Sequence, residues 1–184
     1  MNRGSYHHGD LRAVILAEAA RLVAERGADR ISLRELARAA GVSHAAPAHH
    51  FTDRRGLFTA LATEGFQMLA AALVDARPDF IDAALAYVRF ASEHPGHYAV
   101  MFDKSLYDDS DPDLITAAAA AYGELDRGVA TLSDAKAKAD PAGAALAAWS
   151  LVHGFSTLWL NDAVDAGDDP MATAERIARI LFDG

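Results

Sequence analysis

The segment from Ser32 to Phe51 constrains this chain more than any other. Ser32-Leu33-Arg34-Glu35 is a capping box, in which the hydroxyl accepts the N–H of the fourth residue and the carboxylate reaches back to the first. The helix it opens places Leu33, Leu36, Ala37 and Ala40 on one apolar face. Gly41-Val42-Ser43 interrupts that helix, and Ser43 is placed to cap a second one from His44 to Phe51. Pro47 is tolerated only at the edge of a first turn, so it predicts a late helix start. Two helices of about eight residues joined by a glycine-containing turn make a helix-turn-helix, the shape that fits a second helix into a major groove.

Short helices bury little by themselves, so their neighbours must close the core. A first helix is expected over Leu11 to Arg26, with Asp10 as N-cap, Gly27 as stop, and Leu11, Ile15, Ala19, Leu22 and Val23 as its apolar stripe. A fourth, opening at Thr52-Asp53 and reaching about Ala76, adds Leu57 and Phe58 to Phe51. Past Arg77-Pro78 the helical period continues over 79–93, 95–102, 112–132, 141–163 and 170–182, each segment with a proline near its first turn. Segments 103–113, rich in aspartate, and 133–140 are expected as loops. Ala, Leu, Arg and Glu dominate while Gly and Pro stand at isolated positions, which excludes an all-β chain. The expected fold is all-α: a three-helix helix-turn-helix DNA-binding domain over residues 1–55, then a larger helical bundle over residues 56–184.

Charge supports that division. The net charge is -9, yet residues 1–60 hold nine arginines against six acids and five of the eight histidines, while the rest hold eight bases against twenty acids. A weakly basic head meets phosphates, and an acidic body is repelled by them. With no cysteine, disulfides, thiolate metal sites and thiol nucleophiles are excluded. His44, His49 and His50 are spaced too far along one helix to converge on a tetrahedral ion, so no metal or other cofactor is expected. The N-terminus, Met1 to Asp10, has no apolar core of an export signal, which points to the cytoplasm. Residues 142–161 carry no formal charge, but their scattered Gly, Ser, His, Thr and Asn suit a bundle helix better than a membrane span. No nucleophile, base and acid are arranged for catalysis, so no enzyme is expected.

Leu33-Arg34 through Gly41-Val42-Ser43, His49-His50-Phe51 and Thr52-Asp53-Arg54-Arg55-Gly56-Leu57 together resemble the signature of the TetR/AcrR family over about residues 8 to 60. Tyr6 to Leu11 and Trp149-Ser150-Leu151-Val152-His153-Gly154 further resemble a branch named for the Trp, His and Gly of its C-terminal domain. The resemblance implies a homodimeric repressor of a palindromic, inverted-repeat operator in double-stranded DNA, released by a small organic effector. It also implies that residues 56–184 are a ligand-binding and dimerisation domain, with an effector cavity inside it and a four-helix dimer interface made by the last two long helices.

Those expectations attach to named residues. For DNA they are Ser32, Arg34, Ser43, His44, Ala45, Ala46, Ala48, His49, His50 and Arg54: small side chains let the backbone approach, and imidazole, hydroxyl or guanidinium groups donate to phosphate or base. Ala48 stands where the family usually carries a phosphate-binding tyrosine. For the effector they are Phe66, His97, Met101, Tyr122, Trp149 and His153, of which Trp149 and His153 share a helix face. For the dimer they are Leu151, Phe155, Leu158, Ile177 and Leu181, because the helix around Trp149 is apolar on nearly its whole circumference and must be covered on both sides. The rival reading is a helical small-molecule-binding protein whose N-terminal domain does not bind DNA.

Overall fold

The computed structural model describes residues 8–182, with side chains described from Leu11 to Ile180. Among the described residues there are ten α-helices, one short 3-10 turn at Ala28–Arg30 and no strand. The helices are α1 (His8–Arg26), α2 (Leu33–Ala39), α3 (Ala46–Phe51), α4 (Arg54–Asp75), α5 (Phe80–Glu93), α6 (Pro95–Met101), α7 (Pro112–Ala130), α8 (Ala135–Ala139), α9 (Pro141–Leu160) and α10 (Pro170–Phe182).

The capping box at Ser32 forms as expected: Ser32 Oγ accepts the Glu35 N–H at 3.3 Å, and the Ser32 N–H donates to Glu35 Oε2 at 3.3 Å. Gly41 takes φ 67°, a left-handed conformation that the tight turn after α2 requires and that glycine adopts without strain.

Four local expectations need correction. α1 opens at His8, so Asp10 lies inside it rather than capping it. Ser43 does not cap α3: the helix begins at Ala46, its N-cap Ala45 has no side-chain bond, and Pro47 falls in the first turn. The missing proline N–H is harmless only there, so the helix cannot start as early as His44. Residues 133–140 are not a continuous loop, because Asp134 accepts the N–H groups of Lys136 (2.6 Å) and Ala137 (2.9 Å) and opens the five-residue α8. α9 stops at Leu160 rather than Ala163, where Asp162 turns left-handed at φ 53°. The side chain of Leu181 lies outside the described residues.

The chain divides into two compact units, one made of the residues up to Gly65 with His94–Thr116, the other of Phe66–Glu93 with Ala117 onward. In the first, α1 packs on α6 and α2 on α3. Gly96 of α6 sits so close to α1 that a Cβ there would fall 1.9 Å from the Ala20 carbonyl oxygen, which makes this crossing backbone to backbone. Ile15, Leu22, Leu36, Leu57, Phe58 and Leu61 are almost wholly buried around it. In the second, α5 packs on α9 and α10. The buried Glu124 carboxylate accepts bonds from Arg77 and Arg127 there, which hold it below the usual carboxylate range. Among the described residues one helix, α4, is long and apolar enough to cross a membrane by length and composition. Here its Leu57, Phe58, Leu61 and Ala62 are fully buried core residues.

Candidate functional site

The six-residue α3 has two sides. Pro47 and Phe51, four apart, are buried and anchor it. Ala45, Ala48, His49 and Thr52 are exposed, and Ala46 and His50 are half-buried. His44 and Ala45 lie in the turn before the helix rather than inside it, because of the late start at Ala46. The ring of His49 packs edge-on to His50 (5.5 Å between centroids), and His50 lies 6.2 Å from Phe51. Arg34 and Ser43 are exposed beside this helix. Ser32 is exposed as well, but its hydroxyl donates to Glu35 Oε2 at 2.7 Å within the capping box.

Arg54 has structural work. Its guanidinium donates to the carbonyls of Ile31 (3.1 Å) and Ala28 (2.9 Å) and lies 4.7 Å over the ring of Phe58. It therefore ties the 3-10 turn before α2 to the first turn of α4, with 41% of its side chain still exposed. Asp53 holds the same turn by accepting the Gly56 N–H at 2.8 Å. Neither contact is legible in a spacing rule, since the arginine's partners are 23 and 26 residues away.

In the second unit, Phe66, Tyr122, Trp149 and His153 come together. Successive ring centroids are 6.2 Å apart for Phe66–Tyr122, 5.6 Å for Tyr122–Trp149 and 5.7 Å for Trp149–His153. Sequence reasoning missed one member of the cluster, Tyr87 of α5, whose hydroxyl lies 2.9 Å from His153 Nδ1. The available signal was a hydroxyl-bearing aromatic on the otherwise apolar face of α5. Burial favours the neutral imidazole and lowers the pKa of His153, and it raises that of the Tyr122 phenol. The arrangement offers flat apolar faces with few polar groups and no ionised one.

His97 and Met101 are not part of that cluster; both belong to the first unit. His97 Nε2 lies 3.0 Å from Glu64 Oε2, and Met101 is fully buried against Gly65. On α9 and α10, Leu158 is 47% exposed and Leu151, Phe155 and Ile177 are half-buried, with Phe155 stacked on Trp159 at 6.1 Å.

Comparison with known proteins fits both regions. A family model described as bacterial regulatory proteins, tetR family, matches residues 15–61, and one described as tetracyclin repressor-like, C-terminal domain, matches residues 80–181. An HTH-type transcriptional repressor of Mycobacterium tuberculosis is 43% identical over 65 residues, a match spanning 35% of this chain and 35% of that protein. The structure of a protein of unknown function from Rhodococcus sp. RHA1 superposes with a TM-score of 0.77 at 35% identity, over 98% of this chain and 97% of the other. A regulatory protein of the tetR family from Rhodococcus RHA1 gives 0.74 at 22% identity, over 95% and 96% of the two chains, a likeness of fold.

Proposed function

This chain belongs to the TetR family of transcriptional regulators, and from that premise we propose that it is a homodimeric repressor released from an inverted-repeat operator by a small, uncharged aromatic molecule. The observation that carries the reading is the two-sidedness of α3: Pro47 and Phe51 fix it in the core, while Ala45, Ala48 and His49 face outward with little bulk between backbone and groove. Arg34, Ser43, His44, Ala46 and His50 complete the groove-facing set. Arg54 contributes through the guanidinium N–H groups that its internal bonds leave, whereas Ser32, whose hydroxyl proton and N–H both go to Glu35, meets DNA only by giving up a capping-box bond.

A second copy of the chain supports the geometry of an inverted repeat. The exposed Leu158 and the half-buried Leu151, Phe155 and Ile177 supply an apolar face suited to a two-fold interface. In the cytoplasm, two recognition helices then reach successive major grooves about 35 Å apart. The effector lies against Phe66, Tyr122, Trp149 and His153. Because α4 runs unbroken from Arg54 to Asp75 and includes Phe66, a ligand that prefers one placement of α4 changes the separation of the two α3 helices and costs DNA affinity.

The test is selection of fragments from genomic DNA followed by footprinting. Protection should span an inverted repeat, and Leu151→Glu with Leu158→Glu should sediment as a monomer and lose that protection. Retention of no fragment at any salt concentration, or a monomeric wild type at micromolar concentration, would overturn the reading.

A further inference from the structure

A cleft of about 320 Å³ opens beside α3 in the first unit, and its lining is bipolar. Arg12, His50 and Arg55 share it with Asp108, Asp111 and Asp113, contributed by the segment between α6 and α7 and by the first turn of α7. The opposite charges face one cleft without pairing: among the described residues no ion pair joins either guanidinium to a carboxylate at 4.0 Å or less. Arg12 instead lies 5.3 Å over the ring of Phe51.

Local bonds, rather than the arginines, hold the acidic segment in place. The Asp108 N–H donates to Thr59 Oγ1 at 2.9 Å, Thr59 Oγ1 donates to the Arg55 carbonyl at 2.8 Å, and the Tyr107 hydroxyl donates to the Met101 carbonyl at 2.9 Å. Asp108 Oδ1 accepts from the Ser110 N–H (3.1 Å) and hydroxyl (2.7 Å), and Asp111 Oδ1 caps α7 through the N–H groups of Asp113 and Leu114, both at 3.0 Å. The Ser110 bonds hold the Asp108 carboxyl below its usual range, and the charge of Arg55 adds to that. The segment is thus a fixed negative surface next to the cations at the base of α3.

We infer that Asp108 and Asp113 set the strength with which this protein grips nucleic acid, acting as a built-in competitor of backbone phosphate for Arg12 and Arg55. The inference rests on the DNA-binding reading above. Carboxylates that line the same cleft as these two guanidinium groups oppose an approaching polyanion without touching a base, an effect that weakens as salt shortens the screening length from about 10 Å at 0.1 M. They lower affinity for every sequence alike, so they limit sequence-independent binding and leave discrimination intact.

The experiment compares Asp108→Asn with Asp113→Asn, made together, against wild type on a fluorescein-labelled duplex of random sequence and on a genome-selected one. Asparagine keeps the oxygen that Ser110 uses, and the Asp113 side chain makes no hydrogen bond among the described residues, so Asp113→Asn alone serves as a second variant with about half the effect. Asp162→Asn with Asp168→Asn, two exposed acids of the other unit, controls for net charge. The double variant should bind both duplexes about threefold more tightly at 0.1 M salt, with the gain shrinking as salt rises. The control pair should gain less than half as much. Unchanged affinity, an equal gain in the control pair, or a gain confined to the selected duplex overturns the inference. If wild type binds no duplex, the DNA reading fails instead, and heparin decides the cleft: the double variant should elute at higher salt than wild type and control, and co-elution overturns it.

Discussion

Histidine stands beside aromatic rings in both α3 and α9, and the two settings have opposite physical consequences. On α3 the neighbours are consecutive in sequence, His49, His50 and Phe51, on a helix with one side open to solvent. On α9 the rings around His153 come from three further helices: Tyr87 of α5 meets it directly, while Phe66 of α4 and Tyr122 of α7 join it in a chain of contacts through Trp149. The first setting leaves imidazole able to meet a polyanion. The second desolvates it, favours its neutral form and suits an uncharged ligand. Composition alone does not separate the two; the enclosure of His153 by rings from other helices does.

The largest test of this contrast removes the anchor of α3. Phe51→Ala should cost about 3–5 kcal/mol in urea unfolding, because a nearly buried ring is lost from a small core, and DNA binding should vanish with it. A folded variant that still binds would mean that α3 is positioned by something other than its buried side. Arg54→Ala comes next, at about 2 kcal/mol, because the Ile31 carbonyl loses its side-chain donor and the Ala28 carbonyl keeps only the Ile31 N–H, discounted for partial exposure. Arg54→Lys sharpens the point. If the guanidinium acts as a clamp on the Ala28 and Ile31 carbonyls, lysine should restore little stability; if it acts only on phosphate, lysine should restore DNA affinity without any loss of stability.

Ala48→Tyr should tighten binding by about 1 kcal/mol on random and selected duplexes alike, since a phosphate hydrogen bond anchors without reading sequence. The site is exposed and accepts the ring without displacing core. Weaker binding in fluorescence anisotropy, or a gain on the selected duplex only, would show that the small residue makes room for a base.

The smallest expected effect belongs to His153. Its folded-state pKa lies below the ordinary value of 6.5 because burial penalises the charged ring. The unfolded chain therefore takes up a proton first as pH falls, and stability is lost below about pH 6.5 while none is lost above it. Melting temperatures of wild type and His153→Asn should run in parallel above pH 7 and converge or cross as pH falls towards about 5.5. Parallel curves throughout would place His153 in an environment as wet as that of α3.

Much of α2 was legible in advance because its determinants are local. A capping box is a three-residue relation, and the apolar positions Leu36 and Ala37 follow from the 3.6 period, so Ser32 to Ala39 could be read from spacing. The start of α3 was half legible: Pro47 announced a late start, yet Ser43 attracted the cap because a serine before a helix usually takes it. α8 escaped because two aspartates and a lysine-rich stretch look like a loop until Asp134 is seen accepting two N–H groups. Of the expected effector residues, His97 and Met101 share helical period and polarity with the others, and nothing in one dimension says that they fall in a different unit.

The sequence by itself determined the helical class, the helix-turn-helix, the family and the charge contrast between head and body, because each depends on residues within a few turns of one another or on composition. Tertiary structure alone decided that Tyr87 meets His153 across 66 positions, that Arg54 reaches back to Ala28 and Ile31, and that Asp108 docks on Thr59. Such contacts join groups whose separation along the chain carries no period. They become neighbours only when packing of the intervening helices has placed them, and burial then sets the protonation of the groups it encloses.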